Sequence, residues 1–154
     1  MAAGPISRTL AYKNLRPADV KPLLEGGQAW KYVDVRTTEE FREGHVPGAW
    51  NVPFAVRDRT GRMGPNPDFV TVMKKAFPAG SKIVLGCAVG GRSQRACELL
   101  ATQGYTDLVN MVGGFVGMAD DSGRMVEPGW RGSGFEIEAA APFERTYEAL
   151  YARS

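Results

Sequence analysis

The chain has 154 residues, 44% hydrophobic and 23% charged, with a formal net charge of +2. That size suits a single domain with one core. The near-neutral charge gives no case for nucleic-acid binding, and no apolar run approaches the roughly 20 residues that span a bilayer. The first residues, Met1 to Pro17, lack the apolar core of a secretory signal and carry no acid before Asp19. They faintly resemble a transit peptide, but read better as the approach to the domain's first strand. Two cysteines, Cys87 and Cys97, and one histidine, His45, are too few for a disulfide scaffold or a four-ligand zinc site. Neither a metal nor a cofactor is therefore expected. A reducing cytoplasm fits, with an organellar stroma or matrix as the alternative.

Elements alternate along the chain. Thr9 to Tyr12 predicts a short edge strand. Pro17 to Leu24 predicts a helix stopped by Gly26 and Gly27. Trp30 to Val35 predicts a strand. Thr37-Thr38-Glu39-Glu40 is a capping box that opens a brief helix ending near Gly44. Ala49 to Val52 predicts another strand, and residues 57–67 a loop rich in Gly, Pro and Arg. Asn66-Pro67 is expected to cap the next helix, with Phe69, Val70, Met73 and Phe77 on its apolar face. Lys82 to Leu85 is a strand apolar at its centre, as expected where both faces are covered. Ser93 to Thr102 predicts a helix with Ala96, Leu99 and Leu100 inward and Gly104 beyond its end. Leu108 to Val112 predicts the last strand, closed by Gly113-Gly114. Residues 119–128 read as an inserted loop or hairpin. Phe143, Tyr147, Leu150 and Tyr151 give the tail, residues 140–154, one apolar helical face that packs on the domain, residues 1–139. No internal repeat is evident.

Strands separated by helices imply a parallel sheet covered on both faces, with ligands at the strands' carboxyl ends. Cys87-Ala88-Val89-Gly90-Gly91-Arg92-Ser93 occupies such a place. A thiol becomes a strong nucleophile as a thiolate, which helix N-termini and cations favour. The following helix points its positive end at the loop, Arg92 adds a charge, and Gly90 and Gly91 let amides turn inward as an anion nest. A lone cysteine here would read as a buried structural residue; the Gly-Gly-Arg-Ser after it favours a reactive thiol. Cys97 reads as core. Arg57, Arg59 and Arg62 read as a solvated loop, with a basic rim for anions as the other reading. Trp50 reads as core.

At these residues the sequence resembles the rhodanese family of sulfurtransferases. Tyr32-Val33-Asp34-Val35-Arg36-Thr37 with Glu39-Glu40-Phe41 matches its first signature. Gly44-His45-Val46-Pro47-Gly48-Ala49 with Asn51-Val52-Pro53 matches the second. Cys87 to Ser93 matches the active-site loop, and Val112-Gly113-Gly114-Phe115 the closing motif. Agreement runs over roughly residues 8–137, and Asn66 to Phe69 is similar to single-domain thiosulfate sulfurtransferases of plants and bacteria. The segment between Gly114 and Pro128 is longer than the family's usual run to its tryptophan turn.

The resemblance implies a three-layer α/β/α fold on a five-stranded parallel sheet. It implies a Cys87 thiolate that takes sulfur from a small anionic donor such as thiosulfate, releases sulfite, and passes the sulfur from a persulfide to cyanide, a thiol or a sulfur-acceptor protein. Ala88, Val89, Gly90, Gly91, Arg92 and Ser93 would bind the donor. Asp34 and Arg36 would fix the loop geometry at the strand end, with Arg36 paired to Glu40. His45 reads as a hydrogen-bonded turn residue. The alternatives are a phosphatase, an arsenate reductase on the same loop, or a non-catalytic interaction module. Four residues between Cys87 and Arg92, one fewer than in the related phosphatases, favour sulfur over phosphate.

Overall fold

The computed structural model of the protein describes residues 11–154. Five strands form one parallel sheet: β1 (Lys13–Leu15), β2 (Lys31–Asp34), β3 (Trp50–Asn51), β6 (Lys82–Gly86) and β7 (Asp107–Met111), in the order β1-β7-β6-β2-β3. Two antiparallel hairpins stand apart from it, β4 (Ala55–Arg57) with β5 (Met63–Pro65) and β8 (Met118–Ala119) with β9 (Met125–Glu127). The helices are α1 (Pro17–Glu25), α2 (Thr38–Glu43), α3 (Phe69–Ala76), α4 (Gly91–Ala101), a single turn α5 (Gly129–Gly132) and α6 (Tyr147–Ala152).

Side chains alternate across the sheet, so each strand feeds two cores. Val33, Ile83, Leu85 and Leu108 meet Phe69, Val72 and Met73 of α3, Ala96, Cys97 and Leu100 of α4, and Leu150 of α6. Tyr32, Val84, Val109 and Met111 meet Val20 of α1, Phe41 of α2 and Trp130 of α5. This is the three-layer α/β/α arrangement, and it covers β6 on both faces. Each fully buried Leu, Phe or Met in these layers contributes roughly 1.5–3 kcal/mol of transfer free energy.

Several sequence expectations need correction. The first strand is Lys13–Leu15, later than expected, and Thr9 and Leu10 of the expected strand lie outside the described residues. Asn66 does not cap α3. Its amide donates to Pro53 O and Tyr147 Oη, while its Oδ1 accepts from the Asp68 amide, so it ties the chain and the helix starts at Phe69. The expected loop over residues 57–67 contains the β4–β5 turn.

That turn and the β8–β9 turn share a short repeat, contrary to the expectation of none. Asp58-Arg59-Thr60-Gly61-Arg62-Met63 and Asp120-Asp121-Ser122-Gly123-Arg124-Met125 close the two hairpins alike. In each, the Asp Oδ1 accepts from the Thr or Ser amide and hydroxyl two residues on and from the Arg amide four residues on. The tail also differs from expectation. It is helical in a short 3-10 turn over Phe143–Arg145 and again in α6, Leu150 is buried, and Phe143 stays exposed.

Candidate active site

The site lies at the carboxyl ends of β2, β6 and β7. Cys87 directly follows β6, the middle strand, and is buried. The chain turns back over it, and the Gly90 amide donates to Cys87 Sγ at 3.0 Å. Gly90 takes φ +119°, a conformation that side chains rarely adopt, and it is the N-cap of α4. Gly91 does not share that role: it is the first helical residue and has no positive φ. The helix thus begins two residues earlier than expected and brings Arg92 and Ser93 into its first turn. No side chain caps that turn, so its leading amides face the loop without helical partners.

The rest of the loop is held from β7. Gly114 crosses so close that a Cβ there would lie 2.3 Å from Cys87 O and 2.6 Å from Ala88 O. The next two amides use that approach: Phe115 N donates to Cys87 O at 2.7 Å and Val116 N to Ala88 O at 2.8 Å. Ala88 and Val89 form the outer bend, and Val89 is exposed.

Arg92 faces along the loop mouth to Glu40, with Nη1–Oε1 at 3.0 Å and Nη2–Oε2 at 3.2 Å. Glu40 is also the acidic half of the capping box, its Oε1 accepting from the Thr37 amide at 3.0 Å. Burial opposes the charge on Glu40, but Arg92 and Thr37 outweigh it and hold the carboxyl below its ordinary range. Arg92 and Glu40 border an open groove shared with Thr37, Ala55, Arg57 and Met63. Arg57 is therefore on the wall of the site's approach, although it, Arg59 and Arg62 are solvent-exposed.

The expected pairing of Arg36 with Glu40 is not what forms. Asp34, two residues back on the buried end of β2, takes the Arg36 guanidinium, with Nη2 donating to Asp34 Oδ2 at 2.7 Å and also to Gly44 O at 2.7 Å. The guanidinium also lies 4.5 Å over the Phe115 ring. Asp34 and Arg36 thus brace the β2 end against the segment that carries Phe115, leaving Glu40 free for Arg92. His45 is buried, stacked on Phe41, and joined to Phe41 O at 2.7 Å and Glu138 Oε1 at 2.9 Å. Cys97 is fully buried on the α3–α4 side, and burial, with smaller contributions from Glu98 and Cys87, pushes its thiol up to about 12.

Two site residues escaped sequence reading. Glu40 is expected to cap the helix and to pair with Arg36, yet its carboxylate serves the cap and Arg92. Asn110 falls within the expected last strand with no role of its own, yet it is buried and accepts from the Ser93 hydroxyl. A lone amide within Leu108-Val109-Asn110-Met111-Val112 was the available signal.

Comparison with known proteins gives four findings. A family model described as "Rhodanese-like domain" matches residues 16–121. The chain is 44% identical over 85 residues to Thiosulfate sulfurtransferase 16, chloroplastic, of Arabidopsis thaliana, covering 55% of this chain and 70% of that protein. It is 38% identical over 90 residues to Protein HIGH ARSENIC CONTENT 1, mitochondrial, of the same plant, covering 58% of this chain and 53%, about half, of that protein. Among solved structures, Rv0390 from M. tuberculosis superposes with a TM-score of 0.68 at 25% identity, over 84% of this chain and 99% of that one.

Proposed function

The chain belongs to the rhodanese-like domain family of sulfurtransferases, and from that premise we propose that it is a thiosulfate-type sulfurtransferase working through a persulfide on Cys87. The observation that carries this reading is the Cys87 sulfur, met by the Gly90 amide at 3.0 Å beside the uncapped first turn of α4.

In the first half-reaction the Cys87 thiolate attacks the outer sulfur of the donor. A new S–S bond forms at Sγ, the donor's own S–S bond breaks, and sulfite leaves with the electron pair. Inward amides of the loop and the first turn of α4 offset the charge on the transferred sulfur. Arg92 contributes its charge from the mouth, shared with Glu40. In the second half-reaction the acceptor, cyanide or a thiolate, attacks the outer persulfide sulfur, and Cys87 leaves as thiolate. Ala88, Val89, Gly91 and Ser93 complete the donor-binding ring. Asp34 and Arg36 act by bracing it. Attack on sulfane sulfur needs no general base, in keeping with a buried, doubly bonded His45.

The acceptor reading extends to a sulfur-accepting protein, approached along the groove by Arg57 and Arg92. Residues 1–139 form the catalytic domain in this proposal, with residues 140–154 as its C-terminal tail. Among the described residues no helix is long and apolar enough to cross a membrane. The relatives' names, chloroplastic and mitochondrial, support an organellar stroma or matrix over the cytoplasm.

The likeness to the protein named for arsenic content supports a second reading, arsenate reduction on the same loop. Intact mass measurement after thiosulfate treatment tests the first. We expect a gain of one sulfur atom on Cys87 with sulfite released, and neither in Cys87→Ser. Absence of both, with turnover of arsenate or a phosphate ester, would overturn the sulfurtransferase reading.

A further inference from the structure

Behind the loop, a buried chain of polar groups runs from Cys87 to the sheet's edge. Ser93 Oγ has one proton and three acceptors in reach: Cys87 Sγ at 3.4 Å, Gly90 O at 3.2 Å and Asn110 Oδ1 at 2.5 Å. The shortest of these takes the proton. Asn110 Nδ2 donates to Asn14 Oδ1 at 2.9 Å on the edge strand β1, so turning the Asn110 amide round requires the Asn14 amide to turn with it. With its proton spent on Asn110, Ser93 presents only lone pairs to the sulfur. The sulfur is then left with the Gly90 amide as its donor.

We infer that Asn110, held by Asn14, is a positioning residue that acts on Cys87 through Ser93. By drawing the Ser93 proton away from the sulfur, it withholds one hydrogen bond from the Cys87 thiolate. The inference rests on the reading that Cys87 is the reacting group. No atom is transferred in this device; only the direction of one hydroxyl proton is set.

If the amide is removed, the Ser93 proton is free. A sulfur that ionises then attracts it more strongly than the neutral Gly90 carbonyl, since hydrogen bonds to charged acceptors are the stronger kind. The ionisable groups that reach Cys87 do not blur this effect. Arg92 is paired with Glu40, burial pushes Tyr32 well above its ordinary range, and Cys97 lies near 12. None of them changes charge near neutral pH, and Asp34 facing the same end is paired with Arg36.

The test is the pH profile of thiolate ultraviolet absorbance in the full chain. Asn110→Ala should move the thiolate midpoint to lower pH, raising the thiolate fraction below that midpoint about fivefold, the worth of one ordinary hydrogen bond. Asn14→Ala, a change at an exposed edge residue, should move it the same way by less, and it reads the chain even if the Asn110 variant fails to fold. In a Ser93→Ala background neither change should move the midpoint further. A midpoint that stays put or rises in the folded Asn110 or Asn14 variants would overturn the inference; a rise would mean that the Ser93 proton faces the sulfur at rest. A shift that persists undiminished without Ser93 would overturn it too. The titration uses no sulfur donor. Its outcome is therefore independent of the mass experiment, and each idea can fail alone.

Discussion

At the scale of single residues, the two cysteines differ because their surroundings do. Cys87 ends a strand, meets an amide and sits under Arg92; Cys97 is sealed among Val72, Leu100 and other core groups with its thiol near 12. We therefore expect Arg92→Ala to slow sulfur transfer about tenfold, as loss of one charge-assisted contact does. Cys97→Ala should keep the rate within about twofold, because only packing is disturbed. Steady-state assays with thiosulfate and cyanide separate the two, and equal losses would assign Cys97 a part in the chemistry. Glu40 shows why residue roles are hard to read in one dimension. Its link to Thr37 spans three positions and follows a local rule, whereas its link to Arg92 spans 52 and exists only once α2 and α4 are packed. Arg36 differs: its expected helical partner Glu40, four positions on, lost to Asp34, two positions back on the buried strand end.

At the scale of elements, the two glycines that begin α4 separate cleanly from the one that crosses behind the loop. Gly91 is helical with open space around its Cβ position, so Gly91→Ala should leave the melting temperature unchanged or slightly higher. Gly114 combines φ +60° with backbone oxygens 2.3 and 2.6 Å from a would-be Cβ. Gly114→Ala should therefore cost at least about 1–2 kcal/mol from its dihedral alone, with the collision added, and should displace the Cys87 carbonyl. Thermal melts of the two variants check this, and similar melting temperatures would refute the crossing. The sheet, the helices and the capping box were legible in the sequence because each obeys a local period or a short spacing. The β4–β5 hairpin was not. Its strands are three residues long and hold Gly and Pro, and its turn is fixed by one Asp side chain rather than by a pattern of apolar residues.

For the whole molecule, the carboxyl-terminal segment closes the structure around His45. Glu138 joins His45 Nε2, the Gly48 amide and Arg145, and Arg145 reaches Ala49 O at 2.7 Å. Beyond it, Leu150 enters the core and Tyr147 meets Asn66. Burial opposes the charge on Glu138, but Arg145, His45 and Gly48 together hold its carboxyl below the ordinary 4.5. Glu40 is lowered in the same sense by Arg92 and Thr37. A carboxyl lowered in the folded state adds stability that is present above 4.5 and is lost as pH falls through its lowered range. Melting temperature should therefore decline with acid below that value, and Glu138→Gln should be less stable at neutral pH yet decline less steeply. An unchanged slope would remove Glu138 from the acid response.

The amides of Phe115 and Val116 belong to no strand or helix, yet they donate to the carbonyls of Cys87 and Ala88 behind the loop. By position they would be expected to exchange hydrogen with solvent as fast as a surface bend. Their bonds should instead make them exchange as slowly as the amides of β6, and only when the loop itself opens. Two amides outside the reacting ring thus become a clock for it. Their exchange, followed with and without thiosulfate, would time how often the ring around Cys87 comes apart and whether a transferred sulfur holds it shut.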